Sequence, residues 1–191
     1  MAGLILFEDT LQKQGQHELK HRWWEAHGVE VVRTRLNGKD KRAPVDFGDY
    51  YAPSSNVVVD TKKDISELAQ CVSSGHARFR RELQRASHSG YRLIILTENN
   101  DGVHFISDLA KWENPHCLYC MHRFDLCDPM KHGKCIKHGT RNKPIGGLRL
   151  AKTVQTMQNK YRAYFLFCTP DESAFRVCDA LGMRVGEPNE Q

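Results

Sequence analysis

The sequence has no long hydrophobic run. No apolar stretch among its 191 residues approaches the roughly 18 residues of a membrane-spanning helix, so we expect no membrane span. The short apolar run at the N-terminus lacks the basic lead-in and small-residue cleavage pattern of a secretory signal. A Gly-x-Ser-x-Gly elbow and a phosphate-binding P-loop are also missing, which argues against Ser-His-Asp catalysis and against a nucleotide cofactor.

The sequence also has no large excess of positive or negative residues. The formal net charge is +5 and the sequence pI is about 8.8, while 40% of residues are hydrophobic and 27% are charged. Those fractions are ordinary for a globular protein. The mild positive charge favours an anionic partner such as nucleic acid.

The seven cysteines do not have the distribution of a secreted disulfide scaffold. Four of them crowd into residues 117–135, and the other three lie in apolar periodic segments. This pattern predicts a reduced, cytoplasmic protein in which the isolated cysteines are small buried hydrophobes and the clustered ones are candidate metal ligands.

Hydrophobic periodicity predicts alternating helices and strands. The predicted helices are 9–27, 64–87, 150–162 and a last one that begins at 169 or 171 and ends at 181; the predicted strands are 29–36, 45–51, 56–60, 91–97 and 163–168. We expect residues 73–75 to kink or split the second helix, and Trp23 to lie in the core. The order predicts one α/β domain over residues 1–191, with a central mixed β-sheet flanked by helices and a Cys/His-rich insert at 114–147.

The most strand-like apolar run ends on charge, in the sequence Val-Val-Val-Asp-Thr-Lys-Lys-Asp that begins at Val57. Residues i and i+2 of a strand point to the same face, so Asp60 and Lys62 project together. If the strands that contain Asp49 and Asp60 pair as a hairpin, both carboxylates reach the same end of the sheet. Hard oxygen ligands of this kind suit Mg²⁺ or Mn²⁺.

Two carboxylates beside a lysine suit metal-dependent phosphodiester hydrolysis. A bound metal polarises a phosphoryl oxygen and acidifies a water, and the lysine orients that water or meets the charge that grows on phosphate. Glu18, on the first predicted helix, is a candidate third oxygen ligand. The competing interpretation is that Asp60 and Lys62 are merely solvated residues at a strand end.

Four short motifs resemble the XPF-type nuclease domain of the PD-(D/E)xK, restriction-endonuclease-like superfamily. They are Gly48-Asp49-Tyr50, Val57 to Lys62, Arg78-Phe79 with Glu82-Leu83, and the apolar strand Leu93 to Leu96. The resemblance covers about residues 5–98 and resumes at 148–182. Asp replaces the family's Glu at 60, and Thr61 replaces its Arg.

The resemblance implies a Mg²⁺-dependent DNA endonuclease that acts on branched or structured DNA in repair or recombination, as a homodimer. It implies that Asp49 and Asp60 are the metal-binding acids and that Lys62 is the catalytic lysine. Glu18 matches only a more general feature of the superfamily, an acidic residue on the first helix. Two alternatives stay open. One is a non-catalytic DNA-binding or scaffold protein with the same fold, and the other is a restriction or junction-resolving nuclease.

The insert has the spacing C-x2-C-x6-C-x7-C, formed by Cys117, Cys120, Cys127 and Cys135. A C-x2-C pair suits tetrahedral thiolate binding, so we expect a structural Zn²⁺ with these four ligands and with His132 or His138 as substitutes. Bound zinc would also order a segment that has little core of its own. The alternative is a polar loop with incidental cysteines.

Basic residues lie in the insert and on the second predicted helix. Phosphate contacts from such residues set the affinity and register of a protein on DNA without reading its sequence. Solvated basic surfaces are the alternative. The candidate nucleic-acid contacts are Arg78, Arg81, Lys131, Lys134, Lys137, Arg141 and Lys143.

Overall fold

The computed structural model describes residues 4–12, 15, 17–118 and 144–185. Over this part of the chain there are six strands and six α-helices. The strands are β1 Leu4–Asp9, β2 Val29–Thr34, β3 Tyr50–Tyr51, β4 Val57–Lys62, β5 Arg92–Glu98 and β6 Tyr164–Cys168. The helices are α1 Glu18–Ala26, α2 Ile65–Val72, α3 His76–Ser89, α4 Pro115–Leu118, α5 Gly147–Tyr161 and α6 Ser173–Ala180, with a short 3₁₀ helix at Asp108–Lys111.

The strands form one sheet in the order β2-β1-β3-β4-β5-β6. The short strand β3 runs antiparallel to both of its neighbours, and the other pairs are parallel. Helices pack on both faces, because parallel strands need helical crossovers and those crossovers cover the sheet. The predicted α/β fold with a central mixed sheet is therefore confirmed.

Two hydrophobic cores lie on opposite faces of the sheet. The first packs α2, α3 and α5 against alternate strand residues such as Val58 and Ile95. The second packs α1 and α6 against the intervening residues, such as Val59 and Ile94. Since neighbouring strand residues point to opposite faces, every position of β4 is buried. That double burial explains the unbroken apolar run at its start.

The N-terminal apolar run is a strand and not the entry to the first helix. Strand β1 pairs with β2 in parallel, and helix α1 begins only at Glu18, not at residue 9 as predicted. Leu6 and Phe7 are both buried, on opposite faces of the sheet. Helix α1 also buries Trp24 completely, whereas Trp23 is only partly buried, so the expectation for Trp23 is wrong.

The predicted helix over 64–87 is two helices, as the 73–75 segment suggested. Asp64 caps α2 by accepting a hydrogen bond from the Glu67 N–H at 2.7 Å, and α3 begins after Gly75. Among the helices that the structure describes, none has the length and apolar character to cross a membrane.

Candidate active site

Strand β4 brings Asp60 and Lys62 to one face of the sheet. Both are buried, with 5% and 7% of their surface exposed, and the Lys62 Nζ lies 2.5 Å from the Asp60 Oδ2. The Lys62 ammonium also donates to the Thr61 carbonyl at 3.3 Å. Burial of two opposite charges is costly unless they are paired, and here each charge provides the partner of the other.

Asp49 lies beside Asp60 because β3 and β4 form the predicted hairpin. Tyr50 is in register with Val59, and the Asp49 N–H donates to the Val59 carbonyl at 2.8 Å. Its carboxylate Oδ2 accepts hydrogen bonds from the Thr61 N–H at 2.7 Å and the Thr61 hydroxyl at 2.8 Å. Asp49 is thus fixed against the strand that carries Asp60 and Lys62.

The strand predicted at 45–51 is much shorter in the structure, since β3 is only Tyr50–Tyr51 and Asp49 directly precedes it. Gly48 has a φ of 75°, which only glycine adopts readily. A Cβ atom at this position would lie 2.5 Å from the Val58 Cγ1. Gly48 therefore permits the close approach that places Asp49 beside β4.

A third carboxylate belongs to Glu82 of α3, which forms part of a sequence motif but was not predicted as a site residue. Its Oε1 accepts a hydrogen bond from the Gly48 N–H at 3.2 Å. The side chain is half-buried beside the apolar stripe formed by Phe79 and Leu83. An acidic residue next to the buried stripe of a helix is only a weak indication of a functional role. The contact of Glu82 with Gly48 could not be read from local sequence, because the two residues are 34 positions apart.

The electrostatics of the group follow from this crowding. Burial raises the pKa of Asp60 well above its usual range; Lys62 opposes that rise, and the Asp49 and Glu82 carboxylates add to it. Burial alone would lower the pKa of Lys62, but the Asp60 and Asp49 carboxylates raise it overall. The lysine is therefore held as an ammonium, and the carboxylates favour a nearby cation.

The donor set fits a magnesium-like ion that keeps most of its water. Within the residues that the structure describes, no three His, Cys, Asp or Glu side chains form a ready metal-binding group. Mg²⁺ is commonly held by one or two carboxylates, with waters and substrate phosphates completing its octahedron. Asp49 and Asp60 are the two carboxylates that could hold such an ion, and a divalent ion would offset the repulsion from Asp49 that adds to the effect of burial on the pKa of Asp60.

Helix α1 does not bring Glu18 to this group. Its side chain is 68% exposed and lies 3.5 Å from the Arg22 guanidinium, one turn along the helix. The buried charge of α1 is instead Lys20, whose Nζ lies 2.5 Å from the Glu98 Oε1 at the end of β5. The Glu98 carboxylate also accepts a hydrogen bond from the Ser173 hydroxyl at 2.8 Å.

A second group of charges surrounds Glu8, on the face of the sheet opposite Asp60. Glu8 is only 1% exposed. Its Oε1 lies 3.1 Å from the His21 Nε2 and accepts a hydrogen bond from the Tyr50 hydroxyl at 3.4 Å, while its Oε2 lies 3.1 Å from the Arg33 Nε. Burial raises the pKa of Tyr50 well above its usual range, and Glu8 and Asp49 raise it further. Asp49 is thus close enough to act on groups of both faces.

The Glu8 group forms one side of a cavity of about 360 Å³ under α1. His17, at the start of α1, also lines it, and burial together with the Lys20 charge lowers the pKa of His17. These residues were not predicted from the sequence. Glu8 ends an apolar run much as Asp60 does, and that pattern could have indicated it.

The remaining candidate residues lie only partly within the described chain. Arg78 and Arg81 are exposed on α3. Cys117 lies in α4, but Cys120, Cys127 and Cys135 fall outside the described residues, as do His132 and His138. The basic residues Lys131, Lys134, Lys137, Arg141 and Lys143 are also outside them. The zinc site and these phosphate contacts stay predictions.

The sheet order and the helix placement match the fold of solved XPF structures, in agreement with the resemblance of the sequence motifs. XPF from Aeropyrum pernix matches with a TM-score of 0.55 at 13% sequence identity, over 93% of this chain and 63% of that one. XPF from Aeropyrum pernix in complex with DNA matches with a TM-score of 0.55 at 14% identity, over 94% of this chain and 64% of that one. The chain thus spans less than two thirds of the length of these structures. No protein-family model and no curated protein matches it.

Proposed function

We propose that the protein is a metal-dependent endonuclease that hydrolyses phosphodiester bonds in DNA. The buried Asp60–Lys62 pair with Asp49 beside it carries the proposal. A buried pair of charges is a poor source of stability, because desolvation cancels most of the attraction. Groups with strongly shifted pKa values cluster at functional sites, so we assign this pair to catalysis.

In the proposed mechanism, Asp49 and Asp60 hold Mg²⁺ or Mn²⁺. When bound, the ion supplies polarisation of a phosphoryl oxygen and acidification of a water. Thr61 orients Asp49 through its two hydrogen bonds. A carboxylate fixed in this way loses little entropy when it binds a cation, which favours binding.

Lys62 contributes a permanent positive charge in this mechanism. Because the neighbouring carboxylates raise its pKa, Lys62 remains an ammonium at neutral pH. It can therefore donate a hydrogen bond to a phosphate oxygen or hold the attacking water, but it cannot accept a proton as a general base. A fixed ammonium in a site that excludes water stabilises the charge that develops on phosphate.

Branched or structured DNA is the proposed substrate, and a homodimer is the proposed assembly. The solved structure of XPF from Aeropyrum pernix in complex with DNA supports DNA as the partner. Tyr164 and Leu166 on the edge strand β6, and Phe175 on α6, are large hydrophobic side chains left exposed, which supports association of two copies. Structural zinc in the insert remains part of the proposal.

A non-catalytic DNA-binding scaffold is the second candidate, and one observation favours it. The Asp49 carboxylate already accepts two hydrogen bonds from Thr61, and Asp60 already has Lys62 as its counter-ion. Such internal partners would also preserve the fold in a protein that never binds a metal. A cleavage assay separates the two candidates.

The test compares cleavage of linear and branched DNA with Mg²⁺, Mn²⁺ or EDTA. We expect wild-type protein to cut only with metal, and we expect Asp60→Asn, Asp49→Asn and Lys62→Met to lose cutting by at least about 100-fold. Glu18→Gln is the matched acid-to-amide control, since its side chain is exposed and separate from the group. Binding of DNA without metal-dependent cutting would favour the scaffold. Equal cutting by wild type and Asp60→Asn would exclude this active site.

A further inference from the structure

Helices α3 and α5 border a groove with a volume of about 320 Å³. We call it the α3–α5 groove. Its polar and charged lining consists of His76, Arg80, Arg149, Lys152, Thr153, Thr156 and Lys160. The four Lys and Arg residues are exposed, and no carboxylate is among the lining residues. The groove therefore presents one sign of charge.

The cations of this groove are not neutralised within the described chain. No ion pair joins Arg80, Arg149, Lys152 or Lys160 to a described carboxylate. Other exposed cations of the fold do have such partners, for example Arg22 with Glu18 and Arg176 with Glu172, each one turn away. Four unpaired cations thus line one groove that has no carboxylate among its lining residues.

Three of the four cations, Arg149, Lys152 and Lys160, lie along helix α5, and Arg80 lies on α3. Lys152, Thr156 and Lys160 are spaced four residues apart and share one side of the helix, and Arg149 extends the row toward its N-terminus. At 1.5 Å per residue the row from 149 to 160 is about 16 Å long. Over the same distance along the axis of a DNA duplex, one strand has about five phosphates, since they are spaced about 3.4 Å apart along the axis.

The apolar part of the lining does not form a protein-binding anchor. Met157 and Tyr161 also line the groove, but both are buried in the first core. The Lys160 ammonium lies 5.5 Å from the centre of the Tyr161 ring, which positions that cation at the groove. Stable protein interfaces are built on large aromatic or apolar anchors that enter the partner, and the lining offers none.

We propose that the α3–α5 groove binds the phosphate backbone of DNA, in a contact that does not read sequence. The inference rests on the proposed function for the choice of DNA as the occupant. It adds Arg80 and the cations of α5 to the predicted contacts Arg78 and Arg81, which do not line the groove. A row of unpaired cations matches a linear polyanion better than it matches a single anion, because the charges are spread along a helix.

The test measures DNA binding in EDTA, so that it does not depend on cutting. A fluorescent 20-base-pair duplex is titrated with wild type and with Arg149→Gln/Lys152→Gln/Lys160→Gln at several salt concentrations. We expect the triple variant to bind at least about tenfold more weakly, with the slope of log K against log salt reduced by about 2 to 3. The matched control is Lys39→Gln/Lys41→Gln/Arg184→Gln, which removes the same charge from exposed positions outside the groove.

Each outcome decides the inference separately from the proposed function. Weaker binding and a reduced slope in the groove variant alone would support it, even if wild type cuts no DNA. Equal loss in the control variant would overturn it, since a general charge effect would then suffice. Unchanged binding of the groove variant, or no DNA binding by wild type, would overturn it as well. Tighter binding of a poly-glutamate peptide than of DNA would assign the groove to an acidic protein and overturn it too.

Discussion

The Lys62 ammonium lies 2.5 Å from the Asp60 carboxylate, with both side chains buried two residues apart on one strand. Two further carboxylates, Asp49 and Glu82, add to the raised pKa of Asp60. One cation thus serves several anions in a buried site. The site therefore has more negative than positive charge, and a bound divalent cation would reduce this excess.

Removal of either member of the pair should destabilise the fold. Lys62→Met leaves the Asp60 carboxylate without its counter-ion, and Asp60→Asn leaves a buried ammonium. We expect each change to cost about 3–5 kcal/mol of unfolding free energy. Urea denaturation in EDTA measures this cost without interference from metal.

The double variant Asp60→Asn/Lys62→Met provides the control for that prediction. It removes both charges, so we expect it to be more stable than either single variant. A double variant whose loss equals the sum of the two single losses would contradict the coupling between these side chains.

Gly48→Ala should disturb both stability and the position of Asp49. The change adds the strain of a positive φ, about 1–2 kcal/mol, and a contact with Val58 that costs about 1–3 kcal/mol more. Gly90→Ala is the matched control, since Gly90 has a φ of 80° but a Cβ atom added there would meet no described atom within 4 Å. Thermal melts should show a clearly larger loss for Gly48→Ala. Equal losses would mean that the close approach at Gly48 does not matter.

Local sequence signals were enough to predict the hairpin that places Asp49 against strand β4. The alternation of β4 places Asp60 and Lys62 on one face, and the short connection at 52–56 joins β3 to β4. Glu18 was predicted as a third metal ligand because members of the superfamily often have an acidic residue on the first helix, and not because of a local sequence signal. Its actual position depends on the rotation of α1, which the helix pattern alone does not fix.

The buried charges of the opposite face could not be predicted in this way. The local sequence around Lys20 is typical of a solvated helix residue. Its burial could not be predicted, because its partner Glu98 lies on a strand 78 positions later. Trp23 and Trp24 are adjacent, and which of them is buried depends on α6, where the Trp24 Nε1 donates to the Ala174 carbonyl at 3.1 Å. Both outcomes depend on long-range packing that hydrophobic periodicity does not encode.

The thiols of Cys168 and Cys178 should resist alkylation at ordinary pH. Burial raises the pKa of each from 9.0 to about 12, and for Cys168 the Glu98 carboxylate adds to the rise. At pH 8 about one thiol in ten thousand would be a thiolate, the reactive form. Peptide mapping after iodoacetamide treatment should find both unlabelled in native protein and labelled in urea. Native labelling that rises with a midpoint near pH 9 would contradict the raised pKa.

Glu82 should act as a positioning residue through its hydrogen bond to Gly48. Glu82→Gln keeps an oxygen that can accept from the Gly48 N–H, so we expect nearly normal stability and most of the cutting activity. Glu82→Ala removes the acceptor, which should cost about 1 kcal/mol of unfolding free energy and about 10- to 100-fold in kcat through displacement of Asp49. Thermal melts and single-turnover cutting of branched DNA measure the two effects. If Gln and Ala variants lose activity equally, the negative charge of Glu82 matters and the hydrogen bond does not, because only the charge is absent from both.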